Sequence, residues 1–93
     1  MNIEEFANKN NIGFTVKERS IKGLPRFWSG FSCVSLLKDG YTTMPYGNGE
    51  TKKEAILDFV SIISNKKISV MDICTEQERE IDVPQLTYVE EKE

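Results

Sequence analysis

Apolar residues recur along this chain first at helical and then at strand spacing. From Asn2 to Lys9, Ile3, Phe6 and Ala7 share one side, Asn2 stands where a cap belongs, and Glu4 and Glu5 fall in the first turn, which predicts a short helix broken at Asn10-Asn11. From Phe14 to Ile21 the pattern alternates: Phe14 and Val16 point one way, and Thr15, Lys17 and Arg19 the other, as in a half-buried strand. Gly23, Pro25 and Gly30 mark Lys22 to Gly30 as a loop. Phe31 to Lys38, apolar on both faces, predicts a second strand. Asp39-Gly40 then predicts a tight hairpin turn, because glycine readily takes the positive φ such a turn needs. Tyr41 to Tyr46 is the expected return strand, with Pro45 placed as suits a strand end.

The clearest element follows. Thr51 and Glu54 have the capping-box spacing, in which each side chain satisfies a free backbone N–H at the other's position. Ala55, Ile56, Phe59, Val60 and Ile63 form one apolar stripe, so a helix is predicted from Thr51 to about Ser64, stopping at Asn65. Ile68 to Ile73 is expected as another short strand. Beyond it, Ile81, Val83, Leu86, Tyr88 and Val89 are scattered among charges, and Pro84 interrupts the alternation. This reads as an extended arm that docks on the body and frays at its end. The expected fold class is α+β, a three-stranded antiparallel sheet packed against helices in the order α-β-β-β-α, with an extended acidic C-terminal arm. The expected division is a body over residues 1–70 and an arm over residues 71–93.

Charge sharpens that division. Residues 1–70 hold ten Lys/Arg against seven Asp/Glu, a net of +3, and residues 71–93 hold two against eight, a net of −6. A basic face for an anion and a tail that repels or imitates one is the functional reading; a tail kept soluble by charge is the plain one. With 93 residues, 39% of them hydrophobic, the chain can bury one modest core. No apolar run approaches the ~18–20 residues that span a bilayer, so no membrane partner is expected. The start is acidic and polar, unlike a secretory signal, and the expected location is cytoplasmic. Cys33 and Cys74 match neither a zinc knuckle nor a redox pair in spacing and are expected as reduced thiols.

The chemistry on offer is binding rather than catalysis. There is no histidine, so Ser–His and Cys–His nucleophile pairs are excluded. Glu76, Glu78, Glu80 and Asp82 recur with period two, the pattern of one solvated strand face, and neither a metal nor any other cofactor is implied. Lys52 and Lys53 open the predicted helix, where the macrodipole disfavours cations, so they are candidates for an anion held with the free backbone N–H groups, unless Glu50 and Glu54 neutralise them locally. Arg26, Phe27 and Trp28 place an arginine beside aromatics in the predicted loop, a composition common in protein-contact hot spots and also able to stack on bases.

From Phe14 to Ile63 the chain resembles a double-stranded-RNA-binding domain. The loop reads Gly23-Leu24-Pro25-Arg26-Phe27, the hairpin turns at Asp39-Gly40, and Tyr46-Gly47-Asn48-Gly49-Glu50 approaches a helix that opens Thr51-Lys52-Lys53-Glu54-Ala55. The resemblance implies the α-β-β-β-α scaffold and a structured-RNA interface built from Lys52, Lys53, Lys17 and Arg19. The chain lacks the family's loop histidine and carries Ile56 where that helix continues with lysine. In overall character it also resembles small phage and prophage proteins. The leading expectation is therefore a non-enzymatic binding module with a protein partner, in the manner of a phage accessory protein. The alternatives are a binder of structured RNA and a phage inhibitor of a host nucleic-acid-processing or defence complex.

Overall fold

The computed structural model describes residues 1–38, 41–71 and 77–89. It is α+β, with two helices and two antiparallel sheets. Helix α1 spans Ile3–Lys9; the Asn2 side chain caps it by accepting from the Glu4 N–H at 2.8 Å, and Ile3, Phe6 and Ala7 are buried, as the spacing predicts. Strand β1 spans Phe14–Glu18, β2 Phe27–Phe31, β3 Val34–Lys38, β4 Tyr41–Thr43 and β5 Tyr46–Gly49. Helix α2 covers Lys52–Ile63, and β6 (Lys67–Met71) and β7 (Glu78–Asp82) follow. One sheet has the order β1-β2-β5 and the other β4-β3-β6-β7.

The second sheet is the main departure from the sequence reading, and it comes from one bent ribbon. The stretch 22–30 is not all loop: Phe27 to Phe31 form β2, paired with β1 on one side and β5 on the other. Nor is Phe31 to Lys38 a single strand, because it breaks at Ser32 and Cys33. The return strand breaks likewise at Met44-Pro45. Gly30 pairs with Tyr46 and Leu36 with Thr43, so residues 31–35 on one arm oppose only Met44 and Pro45 on the other. That excess forces the ribbon to bend, as a bulge does. Cys33 accommodates the bend at φ 57°. The bend is tied to both sheets: the Ser32 N–H donates to the Gly13 carbonyl at 2.8 Å, and the Met71 N–H donates to the Cys33 carbonyl at 2.9 Å. The ribbon's near half thus joins β1 and its far half joins β6. β1 ends at Glu18, short of the expected Ile21. The predicted turn at Asp39-Gly40 lies outside the described residues, as does Cys74.

One core serves both sheets. Phe31 sits at its centre, 4.8 Å from Phe59 and 6.1 Å from Phe6 between ring centroids, with Phe14 edge-on at 5.9 Å. Val34, Leu36, Ile68 and Val70 bring the second sheet into the same cluster. All five residues of the predicted α2 stripe are buried, and Phe59 is 0% exposed. α2 lies close on β5 because the inward positions of that strand carry no side chains: a Cβ at Gly47 would overlap the Phe59 N and the Ala55 carbonyl, and one at Gly49 would come within 2.5 Å of the Ala55 N.

Past α2, Asn65 turns the chain at φ 60°. The β7 strand Glu78–Asp82 pairs with β6, its three acidic residues exposed and Ile81 half-buried. Val83 and Leu86 are buried, and Thr87 bridges in parallel to Asn2. The Leu86 N–H donates to the Ser64 hydroxyl at 3.1 Å, which itself donates to the Val60 carbonyl, so the end of α2 holds this last segment. Among the described residues no helix is long and apolar enough to cross a membrane.

Candidate functional site: the open face of the first sheet

Alternation along β1, β2 and β5 separates the first sheet into two surfaces. The register Val16–Ser29–Gly47 lies under α2, and one residue along each strand the register Lys17–Trp28–Asn48 lies on the opposite face. The next outward register is Thr15–Gly30–Tyr46. No described helix covers this outer face. It holds a groove of about 510 Å³ floored by Gly30 and walled by Trp28, Met44 and Tyr46, with Thr15 and Arg19 at its side. Tyr46 is 50% and Met44 73% exposed. The Arg19 guanidinium lies 6.0 Å from the Tyr46 ring centroid and donates to the Pro25 carbonyl at 3.1 Å, which fixes it beside the ring. Arg19 is the groove's one charged lining residue among the described residues, and Lys17, opposite Trp28, adds a second cation to the face.

The sequence candidates fall in different places. Of the expected contact trio, Phe27 turns inward and is buried, Trp28 is half-buried on the outer face, and Arg26 is exposed, paired with Glu18 at 3.1 Å and lying 5.3 Å from the Phe27 ring. Lys52 and Lys53 occupy the first turn of α2 and are exposed. The cap beside them is filled: the Thr51 hydroxyl accepts from the Glu54 N–H at 3.1 Å, and the Glu54 carboxylate accepts from the N–H of Glu50, not of Thr51, at 2.9 Å. The Asp58 carboxylate takes the Asn48 N–H at 2.8 Å, so a second acid holds the strand that leads into the helix. Lys17 lies on the face turned away from α2, so it and the helix-start lysines do not form one surface.

Between β1 and β2 the loop of residues 19–26 is braced at its base. The Arg19 N–H donates to the Arg26 carbonyl at 2.6 Å, and the Arg26–Glu18 pair closes the same end. Its tip presents Ile21 at 62% and Leu24 at 52% exposure. Sequence reasoning missed these two, and Met44, Tyr46 and Asn48 as well. The available signal was the alternation Trp28/Gly30 and Tyr46/Asn48, in which Gly30 supplies no side chain to count. Comparison with known proteins finds no matching family, no curated relative and no similar solved structure.

Proposed function

We propose that this chain is a non-enzymatic binding module on a scaffold like that of the double-stranded-RNA-binding domains, and that it works by protein–protein contact through the β1–β2 loop. The order of α1, then β1, β2 and β5 paired antiparallel in chain order, then α2 on the inner face supports the scaffold. One observation carries the contact. Ile21 and Leu24 hold their aliphatic side chains more than half in solvent at the tip of a loop whose base is fixed by Arg19, Arg26 and Glu18. Loops held by a rigid scaffold are where binding residues concentrate. A braced loop also loses little freedom when a partner covers it, so less of the contact energy is spent on ordering it.

The test is a photo-crosslinking amino acid placed at Leu24, with one at the exposed Lys9 as control, in cells that make the chain. A discrete adduct to one protein is expected from Leu24 and not from Lys9. The purified pair should then separate on Ile21→Asp. Adducts that are equal from both positions contradict the reading.

Binding of structured RNA through Lys52, Lys53, Lys17 and Arg19 is the rival. Such a domain spans successive minor grooves and the phosphates between them. The four cations here are split between a helix start and the opposite sheet face, which favours the protein reading. A ~20-base-pair RNA duplex is expected to show no submicromolar binding. Submicromolar binding that is lost in Lys52→Ala/Lys53→Ala would reverse the order of the two readings.

A further inference from the structure

We infer that the open face of the β1-β2-β5 sheet is a binding surface for single-stranded nucleic acid. This site is separate from the loop contact proposed above. Proteins that hold single strands combine a cationic track for the backbone with aromatic side chains on which bases stack, often on the face of an antiparallel sheet. The outer face brings these parts together. Trp28 and Tyr46 flank Gly30, whose missing Cβ leaves the groove open between them: one built there would sit 3.5 Å from the Trp28 ring and 3.7 Å from the Tyr46 Cβ. Arg19 stands beside the Tyr46 ring, and Lys17 lies in register with Trp28. Asn48, next in the same register, adds a side-chain amide able to bond a base edge.

The charge beside the groove favours an anionic occupant over a cationic one. The groove is lined by a cation and by no acid among the described residues, although acids outnumber bases in the whole chain, fifteen to twelve. Glu18, next to Lys17 on β1, is engaged with Arg26. An anionic strand with planar bases complements both features at once, the cations meeting phosphates and the rings meeting bases. A double helix does not, because its bases are already stacked on one another. Two cations near the backbone set the expected electrostatics: the slope of log K against log salt should be about −1.4, at ~0.7 per phosphate neutralised on a single strand.

The chain's one tryptophan is Trp28, so the site carries its own reporter. The experiment titrates the intact protein with a ~12-nucleotide oligothymidylate and, separately, oligouridylate, long enough for the usual footprint on a sheet surface, while following Trp28 fluorescence at several salt concentrations. Saturable quenching with the stated slope is expected. Tyr46→Ala, which keeps the reporter, should weaken binding by about five-fold or more, the loss of one stacked base. Arg19→Ala should lower the slope by about 0.7. Lys66→Ala, an exposed lysine elsewhere, should change neither, and circular dichroism of each variant checks that it is folded. A preference between the two oligonucleotides assigns the strand as DNA or RNA. Fluorescence unmoved at millimolar oligonucleotide overturns the proposal, as does quenching that Tyr46→Ala and Arg19→Ala leave untouched. If crosslinks from Tyr46 fall on a protein while neither oligonucleotide quenches, the face belongs to a protein partner and the proposal fails. The loop reading is judged separately by the adducts from Leu24.

Discussion

The two faces of the first sheet are made by the same three strands, residue by alternate residue, yet they obey different rules. The inner face has been emptied where α2 must approach: Gly47 and Gly49 leave no room for a methyl group, Ser29 is small, and Phe14 and Phe31 fill the remaining space against Phe59 and Phe6. The outer face keeps large side chains, Trp28 and Tyr46, and flanks them with Arg19 and Lys17. Size is thus placed where helix packing does not need it. Large aromatics left on an uncovered sheet face do little to hold a helix, and they make a contact surface. Stability should therefore be concentrated on one face and binding on the other.

Substitutions on the inner side should break the fold in proportion to what they remove. Phe59 is fully buried at the junction of α2 and the sheet, so Phe59→Ala should cost ~3–5 kcal/mol. That is a large fraction of what a domain of this size has to lose. A urea melt close to that of the parent would show that the junction is not the centre of the core. Next in size is the helix entry. Thr51→Ala removes the hydroxyl that accepts from the Glu54 N–H and should cost ~0.5–2 kcal/mol; an unchanged melting temperature would mean that the Glu54–Glu50 contact holds the helix start unaided. The smallest effect has the opposite sign. Among the described residues the buried Ser29 hydroxyl has no hydrogen-bond partner, so Ser29→Ala should stabilise by about 1 kcal/mol, since an unmet buried polar group costs free energy. Destabilisation by that change would reveal a contact for the hydroxyl.

The inner face was far more legible in the sequence than the outer one. The α2 stripe, the Thr51 cap and the Asn2 cap are local patterns, settled within a turn or two of helix, and the structure has them, although the return half of the expected capping box goes from Glu54 to the Glu50 N–H rather than to that of Thr51. The strand Phe27–Phe31 was hidden because serine and glycine stand side by side in it, one on each face. In Phe27, Ser29 and Phe31 the inward positions are not uniformly apolar, and in Trp28 and Gly30 the outward positions include a residue with no side chain. The break at Ser32 and Cys33 was beyond local reading. It depends on Gly13 and on Met71, far away in the chain, whose backbone groups hold the bend from either side. Without the bend there is no second sheet to expect, and the ribbon reads as one plain hairpin. The open groove inherits both difficulties: it needs β2 to be a strand, and it needs the ribbon to turn at Met44-Pro45 so that Met44 comes to wall it.

The division between the faces is tested most directly at two adjacent residues of β5. Tyr46 points outward and is half exposed; Gly47 points inward beneath α2. Urea denaturation of Tyr46→Ala and Gly47→Ala, side by side, compares removing a whole phenol ring with adding a single methyl group. The ring's removal should cost about 1 kcal/mol or less, as substitutions away from the core do. The added methyl meets backbone atoms of Phe59 and Ala55 that cannot move without shifting the helix, so it should cost at least the ~3 kcal/mol at the top of the usual range for overpacking. The reverse order, with Tyr46→Ala the more damaging change, would place the outer face in the core and contradict the account.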